Sequence, residues 1–85
     1  MEYVITFNNT NHAIKAEQCL LKHSLHVGVL PLPAELRAGC GISLRVIPDN
    51  MEQALGILED NEINEIGLFS RVRENNVFKY TEVKI

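Results

Sequence analysis

The chain has 85 residues, 46% of them apolar, and a formal net charge of −3, which makes one domain with a modest core rather than two. Its eight Lys and Arg residues are scattered, so nothing tracks a phosphate backbone and nucleic acid is not expected as a partner. No apolar stretch approaches the roughly 20 residues that span a bilayer, and Met1-Glu2-Tyr3-Val4-Ile5 lacks a signal peptide's basic and apolar regions; the default compartment is the cytoplasm, with no membrane partner and with thiols kept reduced.

Tyr3 to Phe7 is a β-branched and aromatic run that predicts a strand. Asn8-Asn9-Thr10-Asn11 follows as a turn and helix-capping cluster. His12 to Ser24 has helical spacing, with Ala13, Ile14, Ala16, Leu20 and Leu21 on one side and Glu17 projecting into that stripe. His26 to Leu32 reads as a second strand, ended by Pro31 and Pro33. Pro33 to Gly39, proline early and glycine late, suits one short helical turn. Gly41 to Ile47 predicts the third strand, with Ile42, Leu44 and Val46 on one face and Ser43, Arg45 and Ile47 on the other.

Pro48-Asp49-Asn50 is a stop-and-cap signal, and the pairs Asp49/Glu52 or Asn50/Gln53 have capping-box spacing. Met51 to Asn61 predicts the second helix, with Met51, Ala54, Leu55 and Leu58 inward. Gly56 inside it costs up to ~1 kcal/mol against alanine, which points to a close helix–sheet contact. Glu65 to Val72 is the fourth strand, Glu74-Asn75-Asn76 a turn, and Val77 to Ile85 a further strand-like stretch. Strand, helix, strand, strand, helix, strand is the order of the ferredoxin-like split βαβ fold. The expected architecture is α+β, a single domain over 1–85. It has a four-stranded antiparallel sheet, two helices on one face, and an extra C-terminal strand over 77–85.

Cys40 carries the chemistry, in Leu36-Arg37-Ala38-Gly39-Cys40-Gly41-Ile42. Gly39 and Gly41 remove shielding side chains and permit backbone angles that other residues avoid. The expectation is an exposed thiol that a partner can reach. In the predicted topology the loop holding Cys40 lies at the same end of the sheet as the start of the first helix. Thr10, Asn11 and His12 would then stand beside the sulfur, and the helix's unpaired N–H groups and positive end would favour an anion there.

Pro31-Leu32-Pro33-Ala34-Glu35-Leu36-Arg37-Ala38-Gly39-Cys40-Gly41-Ile42-Ser43-Leu44-Arg45 resembles the small bacterial family of putative selenium/sulfur carrier-like proteins. Tyr3-Val4-Ile5-Thr6-Phe7 is similar to its first strand. Ala13-Ile14-Lys15-Ala16-Glu17 with Leu20-Leu21-Lys22 is similar to its first helix. The resemblance covers about residues 2 to 70 and leaves out 77–85. Ala34, Arg37 and Ala38 depart from the family pattern. The resemblance implies a cysteine that holds a persulfide or selenide covalently and relays it between donor and acceptor proteins, with no resident cofactor. That is a carrier rather than an independent catalyst.

Arg37, Glu35 and Arg45 are weaker site candidates than Cys40; Arg37 or Arg45 could hold an anionic sulfur species, and strand alternation makes Arg45 a solvated face residue. His12, Cys19 and His23 share one side of the first helix. His12 and Cys19 are two turns apart, about 10 Å, so these three do not close on one ion and no metal site is expected. No nucleophile–base–orienter set and no phosphate loop can be assembled. The alternative to a carrier is a non-catalytic interaction module with a structural cysteine, binding a second copy or another strand through the sheet.

Overall fold

The structure, a computed structural model, describes residues 1–84. Its elements are β1 (Glu2–Phe7), α1 (Thr10–Lys22), β2 (Gly28–Pro31), β3 (Ile42–Val46), α2 (Pro48–Asp60), β4 (Ile66–Glu74) and β5 (Val77–Glu82). Every strand pairing is antiparallel, in the order β2-β3-β1-β4-β5. The class is therefore α+β. The sheet has five strands rather than four: the extra C-terminal strand is β5, paired along the outer side of β4. The expected strand ran on to Ile85, which lies outside the described residues.

β1 lies between β3 and β4 and is buried on both faces from Val4 to Phe7. Ile5 and Phe7 join Leu44, Val46 and Leu68 on one face, where α1 and α2 cover them with Ala13, Ala16, Leu20, Met51, Ala54, Ile57 and Leu58. Val4, on the other face, is also fully buried, with Thr6 and Ser43. Register explains the division. Tyr3 lies opposite Val46 and Ser70, and Ile5 lies opposite Leu44 and Leu68. A slip of one residue would exchange the two faces.

α1 starts where the asparagine cluster allows. Asn9 is extended and its side chain accepts from the His12 N–H at 2.9 Å, which satisfies one of the helix's free donors. Thr10 and Asn11 are thus inside the first turn. The inward stripe is narrower than the spacing suggested: Ala13, Ala16 and Leu20 are buried, but Ile14 and Leu21 are 44% and 50% exposed. Small residues let α1 lie close to the sheet, and the flanking large residues fall outside the contact. α2 uses no capping box; Ile47 is the N-cap without a side-chain bond and Pro48 fills the first turn. Its inward residues are Met51, Ala54, Ile57 and Leu58, with Leu55 only partly buried. Gly56 is exposed, with nothing within 4 Å of where a β-carbon would sit, so it marks no close contact.

Pro33 to Gly39 is not a helical turn. One turn closes there, with Leu36 N–H donating to the Pro33 carbonyl at 3.0 Å. At the other end, Asn75 and Asn76 adopt left-handed φ of 50° and 64°. Two such residues make the tight turn that matches the twist of an antiparallel pair. Among the described residues no helix is long and apolar enough to cross a membrane.

Candidate functional site

The 32–41 loop lies against the β1–α1 junction. A β-carbon at Gly39 would stand 1.8 Å from the Asn8 carbonyl oxygen, so only glycine fits. The Asn8 side chain in turn donates to the Glu65 carboxylate. Gly41 is different: nothing lies within 4 Å of its absent side chain. Neither glycine has a positive φ, so unusual backbone angles, one reason given for them above, are not used. Leu32 N–H donates to the Gly41 carbonyl at 2.9 Å and ties the two ends of the loop together.

Cys40 is not the exposed thiol expected. It is 3% exposed and belongs to the core on the helix side of the sheet. Strand parity is the cause. Cys40 continues the alternation of Ile42, Leu44 and Val46, so its side chain turns to the helices although it precedes β3. Its Sγ accepts the Ile42 N–H at 3.4 Å. The glycine neighbours are exposed and the sulfur beneath them is not.

The structure brings the loop and the start of α1 together through Gly39 and Asn8. Thr10 and Asn11 are exposed on that first turn. His12 is half-buried, and its Nδ1 is buried without a hydrogen-bond partner. Arg37 is exposed and, among the described residues, makes no ion pair. Cys19 is partly buried and, like Cys40, a free thiol. His23 Nδ1 bonds the Cys19 carbonyl oxygen at 2.9 Å and is occupied as part of the α1 C-terminus. Among the described residues no group of three or more His, Cys, Asp or Glu is placed to hold a metal ion.

The opposite face of the sheet holds an arrangement that the sequence reading missed. Glu2 on β1 bonds Arg45 of β3 at 2.7 Å and Arg71 of β4 at 2.7 Å. Burial pulls the Glu2 carboxyl upward, but the bonds and charges of Arg71 and Arg45 outweigh it and hold it below the ordinary value. Burial also works against the Arg71 charge; bonds to Glu2 and Tyr80 overcome it and raise its pKa. The Arg71 guanidinium lies 4.1 Å over the Phe78 ring. Of these groups Arg71 lines an open groove of about 510 Å³, walled by Leu30, Leu32 and Pro33 on one side and by Phe78 and Tyr80 on the other. The two outer strands thus curl toward each other over this face. Glu35, from the loop that holds Cys40, lines this groove. Glu2, Arg45 and Arg71 are far apart in sequence; a charged residue on each of three strands was the signal available.

No curated protein and no solved structure matches the chain. A family model described as putative Se/S carrier protein-like matches residues 2–70. The match takes in both helices, β1 to β3, the whole 32–41 loop with Cys40, and the first half of β4. It stops short of the β4–β5 turn and of β5. Over that span the chain belongs to the family of putative selenium/sulfur carrier-like proteins.

Proposed function

We propose that Cys40 is the carrier thiol and relays sulfane sulfur, or selenium in its place, between a donor and an acceptor protein. The observation that carries this reading is local: Cys40 is the residue where the loop shared with the family enters the core, and its sulfur already accepts a backbone N–H from Ile42 at 3.4 Å. That donor stabilises charge on sulfur. The Cys40 thiolate attacks the terminal sulfur of a donor persulfide. One S–S bond forms, the donor's own S–S bond breaks, and the donor leaves as a thiolate. An acceptor thiolate reverses the step. With selenium, an S–Se bond forms as another breaks. No net oxidation occurs, and the chemistry suits the reducing cytoplasm.

Burial sets the condition for transfer. The loop opens at Gly41, where no side chain closes the way, and shuts over the loaded sulfur to keep it from water and stray thiols. The test is incubation with glutathione persulfide followed by mass spectrometry. Wild type and Cys19→Ser each gain one sulfur on Cys40; Cys40→Ser gains none. An unlabelled Cys40, or equal labelling of Cys40→Ser, overturns the reading.

The same burial favours a second reading, an interaction domain in which Cys40 is only a small core residue. Under it Cys40→Ala loses stability and nothing else, and Cys40 takes no sulfur from the persulfide.

A further inference from the structure

The sequence treats the two outer edges of the sheet differently. β2 has four residues and ends at Pro31, with Pro33 two residues on; proline offers no N–H to an incoming strand. β5 has six residues, no proline and an unbroken register with β4. Val83 N–H donates to the carbonyl of Leu68 at 2.8 Å, the residue opposite it when the β4–β5 register is continued. Such bonded pairs alternate along an antiparallel ladder. Val77, Lys79, Thr81 and Val83 therefore turn their backbone groups toward β4. Phe78, Tyr80 and Glu82 turn theirs outward, where among the described residues there is no further strand.

We propose that β5 pairs antiparallel with β5 of a second copy about a two-fold axis at Tyr80, continuing one sheet through a homodimer. Charge selects this register. Outward residues must meet outward residues, which leaves three central alignments: Phe78 on Tyr80, Tyr80 on Tyr80, or Tyr80 on Glu82. The first sets Lys79 against Lys79 of the second copy. The third brings Lys84 of the second copy beside Phe78, which already has the guanidiniums of Arg71 and Arg73 at 4.1 and 6.0 Å from its ring. The second brings Glu82 of the second copy to that place instead, in one row with Phe78 and Arg73.

Symmetry forms the Arg73–Glu82 pair twice, as an isologous contact requires. Lys79 then faces Thr81, with its ammonium held by its own Glu74 at 2.8 Å. Val77, 61% exposed, and Phe78, 38% exposed, lie along the joined edge. The contact lies almost wholly outside the residues that the family model matches and holds under either reading of Cys40.

Sedimentation equilibrium of the full chain up to millimolar concentration tests it. Wild type dimerises. Arg73→Glu and Glu82→Arg each weaken association by about tenfold, since each sets like charges in one row on either side of Phe78, twice. The double charge swap restores it. A chain that stays monomeric overturns the proposal, as does a dimer indifferent to both single changes. A double variant no stronger than the singles also overturns it, because the two residues then do not meet. Persulfide uptake by Cys40 is unaffected by these variants, so the two proposals fail separately.

Discussion

The thiol loop and the β4–β5 hairpin flank the centre of the sheet on opposite sides, and they are held in different ways. The loop is held by fit. Gly39 touches the Asn8 carbonyl, Leu32 bonds Gly41, and Cys40 is sealed in the core. The hairpin is held by its own chain: two left-handed asparagines at the turn, a ladder to β4 and an exposed Lys79–Glu74 pair. A segment held by distant contacts changes only when those contacts change. One held locally can be altered without disturbing the core.

Substitutions should separate the two. Gly39→Ala is expected to cost roughly 3 kcal/mol, because the new methyl meets backbone rather than a movable side chain. Gly41→Ala stays within about 0.5 kcal/mol. Urea unfolding of both reads the contrast; equal losses would break it. Cys40→Ser places a hydroxyl in the core and should cost about 2 kcal/mol, visible as a lower urea midpoint with unchanged slope. Cys19→Ser, partly exposed, should cost less than half of that.

Glu2 links the strand of one region to the strand of the other. Its carboxyl pKa is depressed on folding below an ordinary value of 4.5, so its contribution is full above that value and is lost as pH falls through the folded one. Glu2→Gln is expected to be about 1 kcal/mol less stable than wild type at pH 7, because two arginines lose their partner. The gap should close in acid, below pH 4.5. A gap that persists undiminished at low pH would show that the charge of Glu2 is not its source. The hairpin responds least. Asn76→Ala should cost about 0.5–1 kcal/mol through its left-handed φ, and Asn76→Gly nothing. Lys79→Ala should cost under about 0.5 kcal/mol. Hydrogen exchange at the β5 amides reads both, since this strand can loosen while the core holds.

The periodicities located both helices and all five strands because each depends on neighbours in sequence. Burial of Cys40 was equally legible: it has the parity of Ile42, Leu44 and Val46, and the flanking glycines drew attention away from that. The reason for Gly39 was not legible. It lies in a contact with Asn8, made only once β1 and β3 are paired. The Glu2–Arg45–Arg71 cluster was hidden for the same reason, since its members meet only through the register of three strands. Ile14 and Leu21 misled because helical spacing gives a direction but not the width of the contact.

The position of β1 between β3 and β4 has a consequence for how the protein is made. Tyr3 must find both Val46 and Ser70, and β1 precedes both of those strands in the chain. During synthesis its apolar residues, Val4 and Ile5 among them, emerge long before either neighbour. The β4–β5 hairpin, closed by two adjacent asparagines, can form within microseconds of appearing. Of the five strands, the first made is thus the one whose place in the sheet is completed only when β4 arrives, and a nascent chain stalled before β4 would display that strand with one side unpaired.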